Sequence, residues 1–149
     1  MKTKFNFDSQ ICTTREQSEH LLALGLKKET ADMFYAAIHK NTKVVGYRVS
    51  SSYNDEHFEI FTDDIPAWSL GRLLEMLPSS IPISEDLSTF HHYAHLYFST
   101  ELVTYKWEDY DGEARTFAIF CGNGLFTAVV DAIEWLIKNG YFPKEYLEE

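Results

Sequence analysis

Residues 93–121 constrain the fold more than any other stretch of the chain. Segments 93–98 and 102–108 are rich in aromatic and β-branched side chains, which favour strands. The second segment also alternates in polarity, as a strand with two different faces does. One face would carry Val103, Tyr105 and Trp107, and the other Thr104, Lys106 and Glu108. Because a turn ending in Asp111-Gly112 and a third apolar segment follow, the sequence predicts an antiparallel hairpin.

The third segment and the residues after it predict a strand followed by a helix. Residues 116–121 are nearly all apolar, which favours a central strand covered on both faces, with Cys121 as a small buried side chain. A helix is predicted over about 125–138, with Asn123 as its N-cap, Asn139-Gly140 as its end and a frayed tail beyond it. Its apolar face consists of Phe126, Val129, Val130, Ile133, Leu136 and Ile137.

Two further helices are predicted earlier in the chain. Thr13 and Glu16 have the spacing of a capping box, so a helix should run over about 14–24 and end at Gly25. Between Ile65 and Pro78, Pro66 suits a first helical turn. Leucines follow at three- and four-residue spacing, so a helix of about three turns should end before Pro78. These are Leu70, Leu73, Leu74 and Leu77.

The remaining segments complete the predicted fold. Residues 26–38 favour a helix directly after the one at 14–24, although part of that stretch could be a strand. Residues 43–51 and 57–62 predict a pair of strands. Residues 1–12 could form an edge strand, and 78–86 a loop or an edge segment. Together these predict one α+β domain over residues 1–149. It would have a mainly antiparallel sheet of about four to six strands, helices near both termini and one central helix.

Composition and charge exclude several classes of protein. The 149 residues are 45% hydrophobic and 15% aromatic, enough for one sizeable core. The formal net charge is −10, from 23 acidic and 13 basic residues, so direct binding to nucleic acid is disfavoured. No signal-like stretch and no long run of apolar residues is present, and the two cysteines lie far apart. We therefore expect a soluble, cytoplasmic protein that does not enter a membrane.

Motifs that carry chemistry are weak. Gly122-Asn123-Gly124 lies where a phosphate-binding loop would, but the third glycine is missing and no strand follows the helix, so a plain turn is favoured. His91, His92 and His95 could bind zinc only on a helix, whereas a strand is predicted there. Residues 109–113 lack the spacing of a calcium loop. We therefore expect no metal and no cofactor.

Three aromatic residues are candidates for a recognition surface. Large rings with polar edges, such as Trp68, Tyr105 and Trp107, serve as interface anchors. The competing interpretation, which we favour, is that Trp68 attaches its helix to the sheet and that Trp107 fills the core.

Several short segments, in the same order along most of the chain, resemble a family of small uncharacterised proteins from Bacteroides genomes and their phages or mobile elements. The segments are Gln17-Ser18, residues 29–33, 65–70, 73–78, Asp131-Ala132, Trp135-Leu136 and Asn139-Gly140. The resemblance implies a cytoplasmic, phage- or element-borne protein. The family has no assigned activity, so no catalytic residue is implied.

These observations leave three hypotheses for function. The leading one is a non-enzymatic accessory protein that binds a protein partner through an aromatic and acidic surface. The second is a small enzyme or ligand-binding protein with a pocket near the 78–92 loop, where His92, His95 or Asp32 would act as acid–base groups. The third is an acidic mimic of nucleic acid, which requires the carboxylates to cluster on one face.

Overall fold

The computed structural model describes residues 10–35, 45–47, 65–83, 93–108 and 111–149. Within them the fold is α+β, as predicted. The helices are α1 (Arg15–Ala23), α2 (Leu70–Met76) and α3 (Leu125–Lys138), with 3-10 turns at Lys28–Thr30 and Lys144–Tyr146. The strands are β1 (Met33–Tyr35), β2 (Val45–Tyr47), β3 (Ile65–Ala67), β4 (Ser80–Pro82), β5 (Tyr93–Phe98), β6 (Leu102–Glu108) and β7 (Ala114–Cys121).

The larger sheet has four antiparallel strands in the order β4-β5-β6-β7. The predicted strands at 93–98 and 102–108 are confirmed, as is the β6–β7 hairpin, in which Gly112 has φ of +76°. Ala94, Val103 and Tyr105 face α3 and have no exposed surface. We call the opposite side of this sheet the outer face.

A β-bulge divides the ladder between β6 and β7. Tyr105 pairs with Ala118 but Lys106 pairs with Thr116, so Phe117 is an extra residue on β7. The bulge turns Phe117 toward α3, where its ring meets that of Trp135 edge-on with centroids 6.0 Å apart. The ring of Trp135 also packs on Phe120, which attaches α3 to this end of the sheet.

The prediction that β7 is a central strand, covered on both faces, is wrong. β7 lies at the end of the sheet as described, and most of its side chains are exposed, including that of Cys121, which was expected to be buried. The apolar composition of this strand predicts burial on two faces, but only Phe117, Ala118 and Phe120 are partly buried. Apolar side chains are common on protein surfaces, so composition alone does not establish burial.

The smaller sheet has three antiparallel strands in the order β2-β1-β3. The favoured helix over residues 26–38 is therefore wrong over 28–35, which form a 3-10 turn and β1. The alternative, that part of this stretch is a strand, is confirmed at Met33–Tyr35. Phe34 pairs with Gly46 on one side and with Pro66 on the other. Backbone pairing on both sides of β1 outweighs the helical propensity of this segment.

The helix predicted to begin near Ile65 begins later. Residues 65–67 are β3, and Pro66 is tolerated because β3 is an edge strand of the described sheet. Ser69 is the N-cap of α2, and its hydroxyl accepts a hydrogen bond from the Arg72 N–H at 3.2 Å. The helix has seven residues rather than three full turns and ends before Pro78 as predicted, with Leu73 and Leu77 buried.

Helix α1 matches its predicted range, but its capping box is shifted by one residue. The Thr14 hydroxyl accepts from the Gln17 N–H, and the Gln17 side chain accepts from the Thr14 N–H. Thr13, predicted as the cap, is fully buried and takes part in other hydrogen bonds described below. Gly25 ends the helix with φ of +95°, as predicted.

Helix α3 has the predicted range, and the Glu134–Lys138 ion pair is present. The N-cap is Gly124 rather than Asn123, and no side chain caps it. The expected frayed tail is also wrong, because the Lys27 N–H donates to the Tyr146 carbonyl at 2.9 Å and the Glu148 N–H to that of Gly25 at 2.7 Å. Phe142 is buried and belongs to the core, so the tail is attached to the rest of the domain.

Other predicted features lie outside the described residues. These are most of the strand at 1–12, the strand at 57–62, His91 and His92, and the ends of the strand at 43–51, of which β2 is described.

The segment at 78–86 contains β4, an edge strand, which agrees with one of the two expected alternatives. No helix among the described residues is long and apolar enough to cross a membrane.

Candidate interaction site

Two of the three candidate recognition residues lie in the core. Trp68 and Tyr105 have no exposed surface, so neither ring can contact a partner in this structure. For Trp68 this is the interpretation that the sequence favoured. The Tyr105 hydroxyl donates to the Pro78 carbonyl at 2.8 Å, and burial raises the pKa of Tyr105. Tyr105 thus attaches the end of α2 to the larger sheet.

Trp68 is the centre of a buried group that we call the Trp68 cluster. Its indole N–H donates to the Thr30 hydroxyl at 2.9 Å, and its backbone N–H donates to the Thr13 hydroxyl at 3.0 Å. The Thr13 hydroxyl also bonds to the Ser18 hydroxyl, and the Arg72 Nε–H donates to the Thr30 carbonyl at 2.7 Å. The cluster consists of Thr13, Ser18, Thr30, Trp68 and Arg72. It joins α1, the 3-10 turn and α2.

Asp32 and Cys12 border this cluster and are held by it. The Asp32 carboxylate accepts hydrogen bonds from the Ser69 N–H, at 2.8 Å, and from the Ser69 hydroxyl. It therefore fixes the N-cap of α2, and this explains its position without an acid–base role. Cys12 is buried, and burial raises the pKa of its thiol, which disfavours the reactive thiolate.

Exposed aromatic residues lie instead on the outer face of the larger sheet. Tyr93, His95 and Tyr97 alternate along β5 with the buried Ala94, so their side chains share that face. Tyr93 is 55% exposed and Tyr97 is 52% exposed. Two tyrosine rings on one open face are typical of a contact surface.

These residues line a groove of about 460 Å³, which we call the tyrosine groove. His95 is directly opposite Lys106 in the ladder, and the Lys106 ammonium lies 5.7 Å from the centroid of the Tyr97 ring. That distance suits a cation–π interaction. The complete lining is Tyr93, His95, Tyr97, Lys106, Trp107, Glu108 and Ala114.

Trp107, the third candidate recognition residue, is half-buried and is among the lining residues, although alternation along β6 places its side chain on the same face as Tyr105. On the outer face the groove combines the rings of Tyr93 and Tyr97 with a cation, an imidazole and a carboxylate. Aromatic rings supply contact area, and the polar groups can orient a peptide or a small polar molecule.

Thr104 lies beside the groove on the same outer face. It is directly opposite Tyr97 on one side and Ile119 on the other. Although both neighbours are more than half exposed, Thr104 itself has no exposed surface, and its hydroxyl has no hydrogen-bond partner. A buried hydroxyl without a partner is costly, so this position contrasts with the satisfied threonines of the Trp68 cluster.

The other candidate motifs are explained by local structure or fall outside it. Gly124 has φ of +100°, and a Cβ at Gly122 would meet the Thr127 methyl group at 2.9 Å. Both glycines are therefore required by the turn itself. Of the three clustered histidines only His95 is described, and no group of metal-binding side chains occurs in the part of the chain that the structure describes.

Tyr93 and Tyr97 were not among the residues predicted to bind. The signal in the sequence is the spacing of Tyr93, His95 and Tyr97, two residues apart in a predicted strand, with the small Ala94 between. That spacing shows a shared face but not which face the helix covers. Comparison of the chain with protein-family models, curated proteins and solved structures finds no match in any of the three.

Proposed function

We propose that this protein is a non-enzymatic accessory protein that binds a protein partner through the tyrosine groove. The observation that carries the proposal is the pair of half-exposed tyrosines, Tyr93 and Tyr97, on one side of a rigid sheet. Tyrosine is enriched at interfaces because its ring gives apolar area while its hydroxyl tolerates water.

The charges in the groove suit a polypeptide partner. Lys106 is a cation in a chain whose formal net charge is −10, and Glu108 lies two residues further along β6. A surface that presents rings with both signs of charge can orient a partner while the rings supply most of the contact energy. Following the resemblance noted above, we propose that the protein is encoded by a Bacteroides genome, phage or mobile element and acts in the cytoplasm of the cell.

The test is site-specific photo-crosslinking in such a cell. A photoreactive phenylalanine analogue replaces Tyr97 in one variant and Ile11, which is 62% exposed and lies before α1, in the control. We expect one partner to be crosslinked at position 97 and not at position 11. The purified partner should then bind the wild-type chain at least about tenfold more tightly than the Tyr93→Ala/Tyr97→Ala variant.

Two results would contradict this proposal. One is that position 97 gives no adduct that position 11 does not also give. The other is that the purified partner binds the double variant as tightly as the wild-type chain.

A second candidate function is binding of a small polar ligand in the same groove. It is favoured by the groove volume of about 460 Å³, which is in the usual range for ligand sites, and by the direct pairing of His95 with Lys106. Of the acid–base groups proposed for a pocket near the 78–92 loop, His95 lines the groove and His92 lies outside the described residues. Asp32 is not among its lining residues.

This second candidate is tested by nuclear magnetic resonance titration of the labelled protein with a library of small acids, amines and nucleotides. Saturable shifts confined to β5 and β6 that are absent in the His95→Ala/Lys106→Ala variant would support it. A library without such shifts would contradict it and leave the partner protein as the occupant.

A further inference from the structure

The two outer strands of the larger sheet differ in how well their edges are protected. β4 has three residues, one of which is Pro82, and proline has no N–H to offer another strand. β7 has eight residues and contains no proline. Among the described residues no strand pairs with the outward edge of β7, and Ile119 and Cys121 in its second half are exposed. A long uncovered edge is a template for another strand.

The charge distribution indicates what that strand is. Residues 116–121 of β7 contain no charged side chain, in a chain with 23 acidic residues. Charge repulsion between two copies of so acidic a protein is therefore weakest along this part of the edge. Ile119, which is 56% exposed, adds apolar surface on the outer face at the same place.

We propose that β7 pairs with β7 of a second copy of this chain, antiparallel about a two-fold axis. This arrangement joins the two described sheets into one of eight strands and gives the outward backbone groups of each β7 strand hydrogen-bond partners in the other copy. The regular part of β7 is Ala118–Cys121, which follows the bulge at Phe117. The axis therefore passes near Ile119, so Ile119 lies opposite its own copy and Ala118 lies opposite Phe120 of the second copy.

The paired geometry has consequences on both faces. On the outer face the two isoleucines form an apolar cross-strand pair, which stabilises an antiparallel ladder. On the other face, Phe117 and Phe120 remain packed against Trp135, so α3 need not move. The tyrosine groove, centred on β5 and β6, stays open, and this proposal is independent of the proposed function.

Disulfide trapping tests the register directly. Opposite residues in an antiparallel ladder have Cα atoms about 4.5–5.5 Å apart, within reach of a disulfide. In a Cys121→Ser background, we expect Ile119→Cys to form an intermolecular disulfide under mild oxidation. The matched control is Tyr97→Cys, equally exposed on the outer face but on β5, and it should remain uncrosslinked.

Sedimentation equilibrium of the full chain provides the second measurement. We expect twice the chain mass of 17.3 kDa, and we expect Ile119→Lys to weaken the dimer by about tenfold or more because it places two ammonium groups opposite each other. Wild-type protein that stays monomeric at high micromolar concentration would overturn the proposal. Crosslinking of Ile119→Cys no faster than that of Tyr97→Cys would overturn it equally, whether or not Ile119→Lys folds.

Discussion

The Trp68 cluster and the tyrosine groove contain similar side chains in opposite surroundings. Each combines large aromatic rings with threonine and a cation. In the cluster, Trp68 and its threonines are fully or nearly fully buried, and the indole N–H and the threonine hydroxyls have partners. In the groove the tyrosines are half exposed, and the neighbouring Thr104 hydroxyl has no partner. The comparison indicates that the first region maintains the fold, whereas the second is available for contacts.

The largest expected effect is a difference in how much one substitution in each region lowers the stability of the protein. Trp68→Ala should lower the free energy of unfolding by about 3–5 kcal/mol, since it leaves a cavity where three elements meet. Tyr97→Ala should lower it by about 1 kcal/mol or less, because it removes a cation–π contact at an exposed site. Urea denaturation of both variants measures the difference. Equal losses would mean that the groove is as important to the fold as the cluster.

The next expected effect is that threonine-to-valine substitutions in the two regions change the stability of the protein in opposite directions. Thr13→Val should destabilise the protein by about 1–3 kcal/mol, because it leaves the buried Trp68 N–H and Ser18 hydroxyl without their partner. Thr104→Val should stabilise it by about 1 kcal/mol, since it removes a buried hydroxyl that bonds to nothing. Both threonines have no exposed surface, so they form a matched pair.

Urea denaturation of the two valine variants in the same buffer checks this prediction. If Thr104→Val lowered the free energy of unfolding as much as Thr13→Val, the Thr104 hydroxyl would have a hydrogen-bond partner in solution. The contrast drawn above between the two regions would then fail at this position.

The smallest effect is a pH dependence at the border of the Trp68 cluster. Burial, followed by the hydrogen bond from Cys12, raises the pKa of Tyr35 from 10.0 to about 12. Because the folded state binds this proton more tightly than the unfolded state, the contribution to stability is complete below pH 10 and is lost as the pH rises toward 12. The effect is modest, since Tyr35 is only half-buried.

Tyr35→Phe tests the sign of this dependence. At pH 8 the variant should be less stable than the wild-type protein, because the Tyr35 hydroxyl donates to the Thr13 carbonyl at 2.8 Å. The difference should shrink as the pH rises from 10 to 12. Urea denaturation across that range is the measurement, with Tyr97→Phe as the matched control. A stability difference between Tyr35→Phe and the wild-type protein that stays constant from pH 10 to 12 would contradict the raised pKa of Tyr35.

Local features of the sequence predicted the elements that local forces determine. The ranges of α3 and β6 were predicted because each has a sustained period of 3.6 or 2 and a clear end signal. The errors at 28–35 and 65–69 have one cause. β1 pairs with β2 and β3, and the Ser69 N–H donates to the Asp32 carboxylate. These contacts join residues that are distant in sequence, and they outweigh local propensity in both short segments.

The candidate site could be predicted only in part. The sequence identified Trp107 as a candidate recognition residue, and Trp107 is among the residues that line the groove. It could not separate Trp107 from Trp68 and Tyr105, because a large aromatic side chain is suited equally to a core and to an interface. Nor could it predict that β7 is the last strand of the described sheet, since strand order depends on which strands pair in space.

The sequence by itself therefore determined the α+β class, the alternating faces of β6, and the apolar stripe of α3. These follow from side-chain periodicity and turn chemistry, which act over a few residues. Only the tertiary structure decided which face of the larger sheet α3 covers, and hence that Tyr105 is buried while Tyr97 is exposed. The physical reason is that alternation creates two faces, and only packing against a third element distinguishes them.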